Sequence, residues 1–554
     1  MISRQALSLS GIGILVGTLF FAASLTPTLI PRTYLTQGAL AGSCFAIGYG
    51  IGVAWRWLWR YLEIPEAPAR IRSIANTSVS AFCLAVAVAF LWRSAEWQDS
   101  IRTAMDMPPV DSAHPMKVCV VALATFVVVL VLARLFAAFV RLIVRLFRRF
   151  VPRRIANVVG FAIAAVLVWG LASNVLVRNV FRVLDSSFAK YDALLEPERP
   201  QPTDSSKTGS PASLVKWDEL GRAGREFIAG GPSAGEIAAF TGRPAEEPVR
   251  VYVGLGAATD PASRAKLALE ELKRVGGFKK SKLIVVTPTG TGWIDPASMD
   301  AVEYLCHGDV ASVAVQYSYL SSPLSLLAQP EYGAETARAL FLQVYDYWTT
   351  LPKNSRPKLY LYGLSLGAMN SEKSAGLFEI LGDPISGALW SGPPFESRIW
   401  RSISDARNPG TPQWLPVFRD SSLVRFVNQD GPAVPPETPW GPLRVVYLQY
   451  ASDPIVFFDY RDAYRRPDWM KPPRGPDISP ELRWYPLVTM LQLALDMAVA
   501  TTAPVGHGHV YAPQDYVEAW SAVIGVRDWS PQAIAALKRH LADAMASKAE
   551  NRGG

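Results

Sequence analysis

Ser365 stands in Gly363-Leu364-Ser365-Leu366-Gly367, and the residues on either side make it the place in this chain where covalent chemistry is best supported. Before it runs Lys358-Leu359-Tyr360-Leu361-Tyr362, a short, bulky, β-prone segment; after it runs Ala368-Met369-Asn370-Ser371-Glu372-Lys373, which reads as the opening of a helix. A serine on a tight strand-to-helix turn is lifted clear of the sheet and held at a helix N-terminus, where backbone N–H groups can stabilise negative charge. The positions two before and two after it must lack bulk for the turn to close, and both are glycine. This is the geometry of an attacking hydroxyl, and it calls for a base, a carboxylate and an oxyanion site.

Each has a candidate downstream. Asp453, in Tyr450-Ala451-Ser452-Asp453-Pro454, follows a β-prone run and is placed to orient an imidazole and stabilise its cation. The competing reading is an Asx turn before proline. His507 and His509 lie in Pro504-Val505-Gly506-His507-Gly508-His509, ahead of a helical stretch. The chain holds five histidines, and His114, His307 and His540 fall in less suitable places. The order Ser, Asp, His is the one expected of a triad carried on a parallel sheet, so one of His507 and His509 is read as the base. Thr287-Pro288-Thr289-Gly290-Thr291-Gly292-Trp293 is a glycine-rich loop after another strand-like run. A donor from Thr289 or Gly290, with the N–H of Leu366, would hold a developing oxyanion. No Gly-Lys-Ser/Thr ending follows, so a phosphate cradle is disfavoured.

The elements that must position these residues begin near residue 249. Strand-like runs at 249–253, 283–287, 310–317, 359–362, 386–390 and 443–449 alternate with helical patterns such as 262–274 and 334–350. Alternation of this kind predicts a mainly parallel sheet with helices on both faces, and ligands at the carboxyl ends of its strands. Two long intervals interrupt it: 88 residues from Ser365 to Asp453 and 54 from Asp453 to His507. The 393–442 and 461–486 stretches within them are candidates for a cap. The apolar run 487–500 contains Asp496 and reads as a buried or interfacial helix, since a crossing there would separate Ser365 from His507.

The first third is different. Residues 1–160 hold sixteen Lys/Arg against six Asp/Glu, a surplus of +10 that leaves −2 on the remaining 394 residues. Half of all residues are hydrophobic and the mean hydropathy is positive. Apolar runs at about 7–29, 38–58, 75–92, 117–140 and 156–177 predict five membrane spans. Arg56, Arg60, Arg70 and Arg72 flank one loop, and Arg141, Arg145, Arg148, Arg149, Arg153 and Arg154 another, while Glu96, Asp99, Asp106 and Asp111 mark the loop between. Basic loops inside give an inward N-terminus, and five crossings place the C-terminal domain outside the cytoplasm. Such a distribution speaks for a lipid bilayer as partner and against nucleic acid; the arginine cluster also suits anionic head groups. Cys44, Cys83 and Cys119 lie in apolar segments and leave Cys306 alone, so no disulfide framework, zinc cluster or other metal or cofactor site is expected. Residues 197–211 are Pro/Ser-rich and read as a linker, followed by a docking helix near 220–227. The expected division is 1–180 transmembrane, 181–248 linker and docking helix, and 249–554 catalytic.

Taken together these stretches resemble the predicted membrane-anchored α/β-hydrolases of bacteria, with a multi-span N-terminal domain and a C-terminal catalytic domain. The residues that carry the resemblance are Val251-Tyr252-Val253-Gly254-Leu255-Gly256, the 287–295 loop, Val315-Gln316-Tyr317-Ser318-Tyr319-Leu320 and the Ser365 elbow. They continue through Trp390-Ser391-Gly392-Pro393-Pro394-Phe395, Ala451-Ser452-Asp453-Pro454-Ile455-Val456, Arg466-Pro467-Asp468-Trp469 and Gly506-His507-Gly508-His509. The resemblance implies a Ser-His-Asp triad of Ser365, Asp453 and His507 or His509. Gly-His-Gly before a last helix favours His507, with His509 left to support it or touch substrate. Leu364 departs from the acidic residue frequent at that position, which removes a polar contact there.

The function expected is a membrane-tethered serine hydrolase, esterase- or lipase-like, that cleaves an ester of a small molecule or lipid through an acyl-enzyme. Acyl transfer to a sugar or lipid alcohol would use the same triad. A receptor or scaffold whose spans carry the function is the alternative of another class, marked by a serine inert to fluorophosphonates. A transporter is disfavoured, because no span holds an interior acidic residue.

Overall fold

The computed structural model describes residues 9–66, 68–147, 152–170, 192, 199–320 and 331–553. The chain divides into two compact units, one of residues 1–180 with 458–503 and one of residues 181–457 with 504–554.

The first unit is helical, with α1 Gly11–Ser24, α2 Tyr34–Tyr61, α3 Ala69–Ala104, α4 Pro115–Phe147 and α5 Arg153–Gly170. Three of these, α2, α3 and α4, are long and apolar enough to cross a membrane, in place of the five expected. The first apolar run stops early for a local reason. Ser24 Oγ bonds back to Phe21 O at 2.6 Å and Thr26 Oγ1 to Ala23 O at 2.7 Å, and Pro27 brings no N–H. The helix ends after 14 residues. In the fifth run, α5 ends the described helix at Gly170, and residues 171–177 lie outside the described residues, as do Arg148 and Arg149. Helices α1 and α2 pack backbone to backbone: a Cβ on Gly52 would lie 2.6 Å from Ile12 O.

The segment 458–503, read from sequence as part of the catalytic domain, folds with these helices instead. Its helix Val488–Ala498 is short, as expected, and buries Asp496 completely. That carboxylate accepts from Arg32 Nε at 3.1 Å and Nη2 at 2.9 Å, from Leu29 N at 3.1 Å, and from Thr28 Oγ1. Gln492 Nε2 donates to the carbonyls of Ser24 and Thr26, Trp97 Nε1 to Glu481, and Ser100 shares a hydrogen bond with Ser479. Backbone groups of the α1–α2 turn at Ser24, Thr26 and Leu29 are thus bonded by this segment.

The second unit is built on an eight-stranded sheet: β1 Val249–Val253, β2 Lys282–Thr287, β3 Ala311–Val315, β4 Lys358–Leu364, β5 Gly387–Ser391, β6 Val424–Asn428, β7 Gly431–Pro432 and β8 Arg444–Leu448. Their spatial order is β1-β3-β2-β4-β5-β8-β6-β7, parallel except for β7. Strands buried on both faces read as near-continuous apolar runs, which is why six of them are visible in the sequence. The two that are not, β6 and β7, come from the 393–442 interval, so this stretch extends the sheet. Arg425 disguises β6; its guanidinium lies over the Trp440 ring at 3.7 Å and donates to Ser421 O at 3.0 Å. The described part of the stretch read as a linker, 199–211, is also docked, residues 197 and 198 lying outside the described residues: Thr208 and Ser210 are buried, and Arg274 of the helix Pro261–Arg274 donates to the carbonyls of Ser205 and Lys207. Gly221–Ala229 forms the expected docking helix, with Gly224 against the Tyr252 ring of β1.

Candidate active site

Strand β4 runs straight into the helix Leu366–Ser374, and Ser365 is the residue between them. It adopts φ 56°, ψ −126°, a strained conformation for a residue with a side chain. Both flanking glycines are required by contact. A Cβ on Gly363 would stand 2.3 Å from Gly367 C, and one on Gly367 would stand 2.2 Å from Thr287 O. Helix and glycine-rich loop therefore close against each other with no room for a methyl group. Ser365 N donates to Ser391 O at 2.9 Å, which ties the turn to β5. Leu366 opens the helix, and its N–H is among those a helix leaves without an internal acceptor.

Asp453 follows β8 and is fully buried. Its Oδ1 accepts from Ile455 N at 2.9 Å. Its Oδ2 accepts from His509 Nδ1 at 2.7 Å and from Tyr511 OH at 2.8 Å. With Nδ1 donating to a carboxylate, neutral His509 presents Nε2 as a lone-pair acceptor. That atom is buried and, among the described residues, has no hydrogen-bond partner. The histidine loop is fixed by Gly508 N donating to Ser452 Oγ at 2.8 Å.

No hydrogen bond joins Ser365 to His509 in this state; β5 brings the two together. Ser391 holds the serine's N–H, and the next residue, Gly392, lies so close to the histidine that a Cβ there would stand 2.7 Å from His509 Cε1. Catalytic hydrogen bonds are commonly long before substrate arrives.

Two expectations need correction. His509, and not the favoured His507, is the histidine paired with Asp453. His507 instead closes the loop turn, its N–H donating to Pro504 O at 3.1 Å and its carbonyl accepting from Val510 N at 3.1 Å. Thr289 is the second. Its N–H donates to Trp293 O at 2.9 Å and its hydroxyl to the same oxygen at 3.2 Å, so the turn consumes this donor internally. Gly290 is buried on the same turn.

The sequence reading missed Tyr511 and Asp295. Burial, and the Asp453 carboxylate beside it, hold the Tyr511 phenol well above its ordinary range, so it is a donor at any physiological pH. Asp295 caps the helix Pro296–Leu305 through Ala297 N at 3.0 Å and accepts from Tyr516 OH at 2.9 Å. Burial pushes it up to about 6, against the pull of Tyr516, Ala297 N–H and His509. Its place at the end of the 287–295 loop was the available signal; Tyr511 had none. Further into the elbow helix, Glu372 is buried and accepts from Tyr447 OH at 2.8 Å, and burial pushes its carboxyl up to about 8.

Two family models match the chain. One, described as an alpha/beta-hydrolase family, covers residues 249–537; the other, described as the N-terminus of an alpha/beta-hydrolase family, covers residues 25–232. No curated protein and no solved structure matches.

Proposed function

The chain belongs to this alpha/beta-hydrolase family, and from that premise we propose that it is a membrane-tethered serine hydrolase that cleaves an ester, lipid-linked esters being the favoured class. The observation that carries the reading is the buried Asp453–His509 pair, with Nε2 left unpartnered beside a strained serine elbow. In the proposed cycle Ser365 Oγ attacks the ester carbonyl as its proton passes to His509 Nε2. Asp453 and Tyr511 hold the imidazolium, and the N–H of Leu366, with one from the Gly290 turn, receives the oxyanion. Collapse expels the alcohol with that proton; a water, deprotonated by the same nitrogen, then releases the acid and restores the serine.

Tethering rests on the three long apolar helices and on the wide exposure of side chains such as Leu84, Val120 and Leu132 along them. Orientation rests on charge. Arg60, Arg70 and Arg72 lie where α2 ends and α3 begins, and Glu96 and Asp99 lie towards the other end of α3. In this proposal the basic ends lie inside and the hydrolase unit outside the cytoplasm.

A membrane-impermeant fluorophosphonate probe applied to intact cells tests both parts. Wild-type protein is expected to label, with loss of about 10⁴-fold or more in labelling rate for Ser365→Ala and His509→Ala and less than about tenfold for His507→Ala. Labelling only after lysis would reverse the topology. An inert Ser365 in folded protein would refute the hydrolase.

A further inference from the structure

Four cations converge on a cleft at the sheet edge opposite the elbow. Lys282, Lys358 and Arg444 are the first residues of β2, β4 and β8, and parallel strands bring all three to one edge. Arg527, just beyond the helix Pro513–Ile524, is the fourth. They line a cavity of about 610 Å³ together with Tyr360, Ser386 and the backbone at Gly525. The length of β4 separates it from Ser365 by about 20 Å.

The arrangement is costly as it stands. Lys282 and Lys358 are register partners on neighbouring strands, so two ammonium groups leave the sheet side by side on one face. Like charges placed so repel. Among the described residues none of the four is ion-paired with a carboxylate. Lys282 donates to Ser281 Oγ at 3.2 Å, and Arg444 reaches Ala522 O at 3.5 Å. The one carboxylate on the cavity wall, Asp528, faces His307 Nε2 at 3.2 Å and Arg243 Nη1 at 3.6 Å. Four cations against one carboxylate that is already paired, with the Tyr360 and Ser386 hydroxyls hydrogen-bonded to each other beside them, make a site for an anion with several acceptor oxygens.

We propose that this cleft binds a phosphoryl group, presented by a small phosphate ester or by a phospholipid head group, as a site separate from the serine. Lys282, Lys358 and Arg527 supply charge, Arg444 adds its guanidinium from the β8 side, and the hydrogen-bonded pair of Tyr360 and Ser386 supplies one hydroxyl donor.

The test is calorimetry on the full chain in an uncharged detergent. The probes are inorganic phosphate, glycerol 3-phosphate, short-chain phosphatidylglycerol and short-chain phosphatidylcholine. Saturable, salt-sensitive binding is expected, weakened about tenfold or more in Lys282→Gln/Lys358→Gln and also in Arg527→Gln, which lies outside the strands. Binding of phosphate and glycerol 3-phosphate would identify a soluble ester as the source. Binding of phosphatidylglycerol alone would identify the lipid. The unliganded double variant is expected to melt no lower than wild type, because a repulsion is removed, and to keep wild-type probe labelling at Ser365. No saturable binding by any probe, or binding unchanged in the variants, would overturn the site whatever the serine does.

Discussion

At the scale of single residues, the proposed base is aimed by two hydrogen bonds that meet at one oxygen. Asp453 Oδ2 takes both the imidazole N–H and the Tyr511 phenol. A phenol bonded to a carboxylate contributes more than a neutral pair does, about 1.5–3 kcal/mol. Tyr511→Phe is expected to lower the Ser365 labelling rate about tenfold while leaving the fold intact, since the ring stays stacked on Tyr450 with centroids 4.5 Å apart. A rate unchanged across pH would show that Asp453 needs only the histidine. Glu372 makes a separate prediction, about stability. Its folded carboxyl titrates at about 8, above the 4.5 of an ordinary glutamate, because burial disfavours the charge. Between those values the folded chain keeps a proton that the unfolded chain has released. The contribution is therefore complete below about 4.5 and is lost as pH rises towards about 8. Glu372→Gln should flatten the fall in melting temperature across that window. A variant with the same slope as wild type would place the pH dependence elsewhere.

At the scale of elements, the elbow is legible because a steric rule writes it into sequence. Only glycine tolerates a neighbour within 2.3 Å of where a Cβ would stand, and Gly363 and Gly367 both face one. Gly367→Ala must push the helix Leu366–Ser374 off the Thr287 carbonyl. Loss of labelling is expected with secondary structure retained by circular dichroism, and full labelling would show that the loop yields. The buried strands were legible for a similar reason, being apolar on both faces. The histidine choice was not: Gly-His-Gly-His offers two imidazoles two residues apart, and only the turn bonding of His507 and the Ser452 contact to Gly508 decide which one meets Asp453. Nor was β6, where Arg425 interrupts the apolar run and is satisfied only by residues the fold brings to it, Trp440 among them. Composition also misread 199–211, because Pro/Ser-rich sequence is a linker only when its carbonyls go to water, and here those of Ser205 and Lys207 go to Arg274. The Arg32–Asp496 pair could be neither seen nor guessed, its members lying 464 residues apart. Both side chains are fully buried, so removing one leaves the other uncompensated. Arg32→Ala is expected to cost the helical unit about 3–5 kcal/mol, read as earlier thermal unfolding of the full chain in detergent, and an unshifted transition would mean that water enters the site.

At the scale of the whole molecule, the order of the chain matters more than the count of its domains. Between the proposed acid and base the polypeptide leaves the hydrolase unit at Phe457, folds with the N-terminal helices, and returns at Pro504. Asp453 and His509, the proposed carboxylate and base, thus stand on either side of an excursion that the N-terminal third completes. A fragment of residues 249–554 keeps every strand and every residue of the proposed triad. Yet it carries 458–503 without Arg32, Leu29 and Thr28 for Asp496, without Trp97 for Glu481, and without the carbonyls of Ser24 and Thr26 for Gln492. A buried carboxylate stripped of its donors, on a helix whose Val488 packs on Leu40 and Cys44, cannot remain where it is. The fragment is expected to aggregate or to label at less than about one-hundredth of the full-chain rate, the two catalytic loops being anchored at one end each to an unfolded segment. Co-expression of residues 1–248 as a separate polypeptide should restore labelling, because it returns the missing donors without restoring the covalent link. Soluble 249–554 that labels at the full-chain rate would show that the excursion is a passenger and that the membrane unit serves the enzyme only as an anchor.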